Sequence, residues 1–158
     1  MSAGVHFVHD SSGKCIFLGS NAHFAPETIR IFTEKTIFLI RSGLFDFITH
    51  PDMAASSIDC WTPEVKELFL EVIRASSDCG IPLEINALGM QKPEIRYPGE
   101  TRHPYPWRPF WELAAEASVP CVIGSDAVGN LPDLFEFADE LGIPCINARI
   151  AEKITWKR

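Results

Sequence analysis

Gly80-Ile81-Pro82-Leu83-Glu84-Ile85-Asn86 decides the fold, because a helix ends at its first residue and an apolar strand starts at its proline. Upstream, Thr62 is placed to cap that helix and Pro63 fits its first turn, where a missing N–H costs nothing. Val65, Leu68, Phe69, Val72 and Ile73 then recur at helical spacing, and Gly80 supplies the stop. The same junction returns as Val119-Pro120-Cys121 and as Ile143-Pro144-Cys145. Each puts proline at the first position of an apolar strand, where it has no ladder bond to lose. Helix–strand alternation of this kind predicts an α/β fold with parallel strands.

Toward the N-terminus, Val5 to Val8 reads as a short strand, followed by a polar turn around Asp10 to Gly13 and an apolar stretch at Cys15 to Leu18. A helix opens near Pro26, turns Ile29, Phe32, Ile37 and Ile40 to one face and stops at Gly43; a strand over Phe45 to Thr49 follows. Beyond the Leu83–Ile85 strand lies a long loop rich in proline and charge, from Leu88 to Arg108. Phe110, Leu113, Ala114 and Ala117 mark the next helix, and Cys121 to Gly124 the next strand. Pro132 opens a last helix with Leu134, Phe135, Ala138 and Leu141 facing inward; a final strand is expected near Cys145 to Asn147.

The 158 residues suit one domain over 1–158 with a real core, and 46% hydrophobic with 22% charged residues is ordinary globular composition. A net charge of -7 argues against a nucleic-acid partner, which needs a basic face. No apolar run approaches a membrane span, and the first residues lack the pattern of a signal peptide. The cysteines (Cys15, Cys60, Cys79, Cys121, Cys145) are odd in number and have no Cys-x-x-Cys spacing. The expectation is a cytoplasmic protein without a disulfide or zinc framework.

Three strands end on polar residues, in Phe45-Asp46-Phe47-Ile48-Thr49-His50-Pro51-Asp52, in Leu83-Glu84-Ile85-Asn86 and in Cys121-Val122-Ile123-Gly124-Ser125-Asp126. In a parallel sheet such ends share one face, so their polar side chains converge. Pro51 biases His50 toward an extended conformation at the strand end. His50 reads either as a metal ligand or as a histidine capping a buried strand. Asp126 reads either as a metal ligand or as a turn or helix cap. His6 sits within an apolar run and is the better ligand of the His6/His9 pair; His9, next to Asp10, belongs to the turn. Asn86 and Glu84 could each line the site, and Glu84 could equally lie in a polar layer or on an edge. Lys92, Arg96, Arg102, His103 and Arg108 in the long loop suit a phosphate, although Glu94 and Glu100 also make it a mixed-charge solvated loop.

Taken together, Val5-His6-Phe7-Val8, Gly43 to Asp52, Leu83-Glu84-Ile85-Asn86 and Gly124-Ser125-Asp126-Ala127 resemble the later motifs of the polymerase-and-histidinol-phosphatase (PHP) family, most of all its histidinol-phosphatase-like bacterial members. The resemblance runs from His6 to about Gly142. It implies a partial, distorted (β/α)7 PHP-type barrel with parallel strands and divalent metal ions at the strand ends. It implies hydrolysis of a small phosphate monoester by metal-activated water. By position, His6, His50 and Asp126 match metal-binding residues, with His50 and Asp126 also catalytic. Manganese, iron and zinc all suit such His and carboxylate sites. Substrate contacts would come from Asn86, Lys92, Arg96, Arg102 and His103.

The chain departs from the family in two places. The family's opening His-x-His pair, and the histidine and glutamate that follow it, have no counterpart here, so the chain resembles the C-terminal part of the domain. The family's Ser-Asp-Ala-His reads Ser125-Asp126-Ala127-Val128. A partial barrel exposes strand edges, so a homo-oligomer or a partner supplying strands is expected. A degenerate, non-catalytic PHP module for binding or assembly is the alternative to a phosphatase.

Overall fold

The computed structural model describes residues 1–19, 25–125 and 132–147. Asp126 and Val128 lie outside them. The chain opens with β1 (Ser2–Ala3), then a hairpin of β2 (Phe7–His9) and β3 (Cys15–Phe17). Helix α1 (Pro26–Arg41) leads to β4 (Phe47–Ile48), a 3-10 turn at Met53–Ser57, helix α2 (Pro63–Cys79) and β5 (Leu83–Asn86). Then come α3 (Leu88–Gln91), the hairpin β6 (Ile95–Tyr97) and β7 (Glu100–Arg102), α4 (Arg108–Glu116), β8 (Cys121–Gly124) and α5 (Pro132–Glu140).

The fold is mixed α/β around a four-stranded parallel sheet in the order β1-β4-β5-β8. Each later strand joins the same growing edge, so the order follows the chain without reversal. Beyond β8, Cys145 forms a single parallel bridge to Cys121 where the sequence suggests a strand. Asn147 explains why the pairing goes no further. Its amide donates to the Ile123 carbonyl at 2.6 Å and accepts the Ile123 N–H at 2.7 Å, so a side chain takes the place of backbone.

Helix α2 follows the sequence closely. Thr62 Oγ1 accepts the Val65 N–H at 3.2 Å. At the other end Gly80 has φ +64°, its N–H reaches the Ser77 carbonyl and the Ile81 N–H reaches that of Ser76 at 3.1 Å. This double closure satisfies end carbonyls that would otherwise be orphaned. α1 packs against α2, and α2 against α4. Ile48, Leu83, Ile85, Cys121 and Ile123 of the sheet share one core with Phe32, Phe69, Val72, Phe110 and Leu134 of the helices. Each large apolar side chain buried there contributes about 1.5–3 kcal/mol.

The structure corrects three expectations. Residues 88–108 are not a plain loop: they contain α3 and a hairpin that turns at Pro98-Gly99, with Gly99 at φ +88°. Proline then glycine is the signature of a turn that needs a positive φ. Phe135 is exposed where an inward position was expected, although Leu134 and Ala138 on the same helix are buried. The third correction is the backbone of His50. All four residues of β5 are buried, which places Glu84 in a covered polar layer with Asn86, one of the alternatives the sequence leaves open.

Candidate functional site

His50 follows the end of β4 with φ +35°, in the left-handed region instead of the extended one that Pro51 favours. That conformation costs on the order of 1–3 kcal/mol and persists only when its surroundings hold it. Glu84 supplies the hold, its Oε2 accepting the His50 backbone N–H at 3.2 Å and Asn86 Nδ2 at 2.9 Å. Asn86 Oδ1 accepts the Leu88 N–H at 2.9 Å, which ties the network to the start of α3. Two glycines make room for it. A Cβ on Gly124 would lie 2.1 Å from Glu84 Oε1, and one on Gly4 would lie 2.5 Å from His50 Cε1.

The turned backbone brings the His50 ring to His6, which lies between β1 and β2. The two Nε2 atoms are 3.1 Å apart and the rings meet edge to face, with centroids 4.5 Å apart. Thr49 Oγ1 is 3.3 Å from the same His50 nitrogen. His50 is buried and His6 exposed, so the pair spans from the polar layer to the surface. Two facing Nε2 atoms have two states: one donates its N–H to the other, or both present lone pairs to one cation. Donors about 2.0–2.1 Å from one metal ion, at tetrahedral to right-angle geometry, lie roughly 2.8–3.4 Å apart. The observed separation fits that span.

The other sequence candidates separate. Asp126 follows Ser125 at the end of β8 but lies outside the described residues. Among the described residues, no three of His, Cys, Asp and Glu are grouped to hold a metal ion. Asn86 is buried in the Glu84 network. Lys92 Nζ donates to the Gly19 carbonyl at 3.4 Å, beyond β3 in the hairpin that follows His6, and lies 5.1 Å from the Tyr105 ring centre. Its partial burial lowers its pKa. Arg96 is exposed on β6. His103 Nδ1 pairs with the Lys92 carbonyl at 3.0 Å.

Arg102 is fully engaged. Nε donates to Glu100 at 2.7 Å, Nη1 to the carbonyls of His103 and Pro104 at 3.3 Å, and Nη2 to those of Ala55 and Ile58 at 3.1 and 2.9 Å. These bonds use all five guanidinium hydrogens. The group also lies 3.9 Å from the Tyr97 ring centre and 4.3 Å from that of Trp107. Arg102 thus pins the β6–β7 hairpin to the 3-10 turn.

Sequence reasoning overlooked Asp52, which the His-Pro-Asp motif sends into the core. Its Oδ2 accepts the Trp107 N–H at 2.7 Å and the Trp111 indole N–H at 3.0 Å, while Oδ1 has no partner among the described residues. Burial pushes its pKa up to about 6 against the pull of those hydrogen bonds. An acid followed by Met53-Ala54-Ala55 was the available signal, since a lone carboxylate beside an apolar run needs a partner.

A cavity of about 460 Å³ lies between the β6–β7 hairpin, the start of α4 and Phe137 of α5. Arg102 and His103 line it, while the histidine pair does not. No protein-family model matches the chain, and no curated protein matches it.

Proposed function

We propose that the chain carries a divalent-metal phosphoesterase centre of PHP type, in which His6, His50 and Asp126 hold the metal and a small phosphate monoester is the substrate. The observation that carries this reading is the 3.1 Å approach of the two Nε2 atoms at the C-terminal end of β4. A sheet order that follows the chain supports a barrel segment, since doubly wound sheets reverse their order. Manganese, iron or zinc bound there would lower the pKa of water and neutralise phosphoryl oxygens. The chain's own residues do the rest. Glu84 fixes His50 through its backbone N–H, and Asn86 fixes Glu84. Lys92, tied to the carbonyl of Gly19 just past the hairpin that follows His6, is the loop cation this reading assigns to the phosphate. Arg102 has no hydrogen left to donate, which makes its role architectural in this reading.

The test is metal content by elemental mass spectrometry, with hydrolysis of p-nitrophenyl phosphate. At least one equivalent of metal per chain is expected, with turnover abolished in His50→Ala. A chain that stays metal-free after incubation with manganese, iron and zinc sinks the reading. A non-catalytic module is the second reading, favoured by Val128 where the resembling motif has histidine. It predicts bound metal without turnover. In both readings the chain is cytoplasmic and associates with a second copy or a partner, which light scattering reads directly. Among the described residues, no helix is long and apolar enough to cross a membrane.

A further inference from the structure

The cavity beside α4 has a polarity that the phosphatase reading does not use. Its inner wall is apolar: Trp107 is buried, and Met90, Pro106 and Phe137 are half-buried. Its mouth carries exposed carboxylates, Glu94, Glu100 and Glu112. The cations at the same mouth are already balanced. Arg102 pairs with Glu100 at 2.7 Å, and Arg108 pairs with Glu140 at 2.6 Å while lying 5.4 Å from the Phe137 ring centre. His103 Nε2 stands 4.0 Å from Glu94, too far for a hydrogen bond, so among the described residues no side chain of the mouth is hydrogen-bonded to that carboxylate. Glu112, on the exposed face of α4, has no cation among the ion pairs of the described residues. The surplus charge at the mouth is therefore negative, above an apolar floor.

We propose that this cavity is a second binding site, for a small organic cation whose ammonium or guanidinium group sits between Glu94 and Glu112 and whose apolar body rests on Met90, Pro106 and Trp107. Its volume of about 460 Å³ is in the range of small-molecule sites. An anion of the same shape meets the carboxylates of Glu94 and Glu112, while Arg102 has no hydrogen left to donate and Arg108 is held by Glu140. A neutral analogue keeps the floor and loses the charge contact. The site works without the histidine pair, so a chain that binds no metal still binds the cation.

The experiment titrates the full chain with 2-phenylethylamine. 3-Phenylpropanoate and 2-phenylethanol serve as probes of similar body and different charge. Tryptophan fluorescence follows binding, and amide NMR shifts locate it. The amine is expected to saturate with shifts centred on Thr101, Trp107 and Glu112, and to bind about tenfold more tightly than either analogue. Glu94→Gln and Glu112→Gln, both exposed changes, each weaken it about two- to fivefold, in line with exposed ion pairs. Glu71→Gln, an exposed acid on α2, leaves the affinity unchanged. Equal affinity for the propanoate or the alcohol, indifference to both glutamine variants, shifts elsewhere, or no saturation would overturn the proposal.

Discussion

His50 and Asp52 are two residues apart in one short motif, and the fold takes them to opposite fates. His50 turns toward His6, leaving two imidazole nitrogens 3.1 Å apart at the edge of the protein. Asp52 turns into the core, where two N–H donors meet one oxygen under Trp107 and Trp111. Around Asp52 the polar groups join segments together: Arg102 grips four backbone carbonyls, and Tyr97 Oη donates to the Ser56 carbonyl at 2.8 Å. Around His50 they aim a ring at another ring. A buried polar group of the first kind holds the fold, and one of the second kind holds a geometry for something else. Substitutions in the two clusters should therefore divide between stability and binding.

The largest loss of stability is expected from Arg102→Met. It keeps much of the stem but removes five hydrogen bonds and the contacts with two aromatic rings, at a cost of about 3–4 kcal/mol. Urea unfolding measures it, and under the proposed metal reading the variant that remains folded should take up metal as the wild type does. A loss of metal uptake in folded Arg102→Met would break the division between the clusters.

Asp52 gives the next largest effect, and it depends on pH. Its folded pKa, about 6, stands above the ordinary 3.8, so the folded chain holds an extra proton between those values. The protonated carboxyl's contribution is complete below the lower value and is lost as the pH rises through the upper one. The rise is equivalent to about 3 kcal/mol. Asp52→Asn keeps an acceptor for the two tryptophan donors and cannot titrate. The stability of wild type relative to Asp52→Asn should therefore fall by about that amount from pH 3 to pH 8. A flat difference would mean that the carboxylate is better solvated than its burial implies.

The elements legible in the sequence are those whose signals are local. The Thr62 cap, Pro63, the apolar spacing and Gly80 specify α2 without help from the rest of the chain, and its ends fall where those residues place them. The β6–β7 hairpin is faint in the sequence because its strands are short and charged, and only Pro98-Gly99 marks the turn. Helical spacing points Phe135 inward, but spacing alone does not fix which neighbours cover a face. At the site, His6 and His50 were visible one by one, but their meeting depends on a left-handed His50. The local rule for a residue before proline points the other way, and a carboxylate thirty-four residues further on overrides it. Arg102 looked like a phosphate ligand because sequence does not reveal how many of its hydrogens the backbone takes.

Gly124→Ala probes the polar layer between the two extremes. The added Cβ would meet Glu84 Oε1 at 2.1 Å, so either Glu84 or β8 must move. Overpacking of this kind costs about 1–3 kcal/mol. Because Glu84 also holds the His50 N–H, the same change should disturb the ring of His50, and histidine NMR would show it as a shift of its Cε1–H resonance. Lost stability with an unshifted His50 would mean that Glu84 does not set the histidine's conformation.

The smallest stability change and the clearest separation are expected from His6→Ala. The ring is exposed, so its removal should change unfolding free energy by no more than about 0.5 kcal/mol. If the pair serves a metal, that same change removes one of its ligands, and affinity for zinc or manganese should fall about a hundredfold or more by calorimetry. Asp52→Asn should do the reverse, shifting stability while leaving affinity nearly intact. A His6→Ala chain that is markedly less stable, yet takes up metal as the wild type does, would make the imidazole contact a structural hydrogen bond. His50 would then belong with Asp52, and both halves of the motif would serve the fold alone.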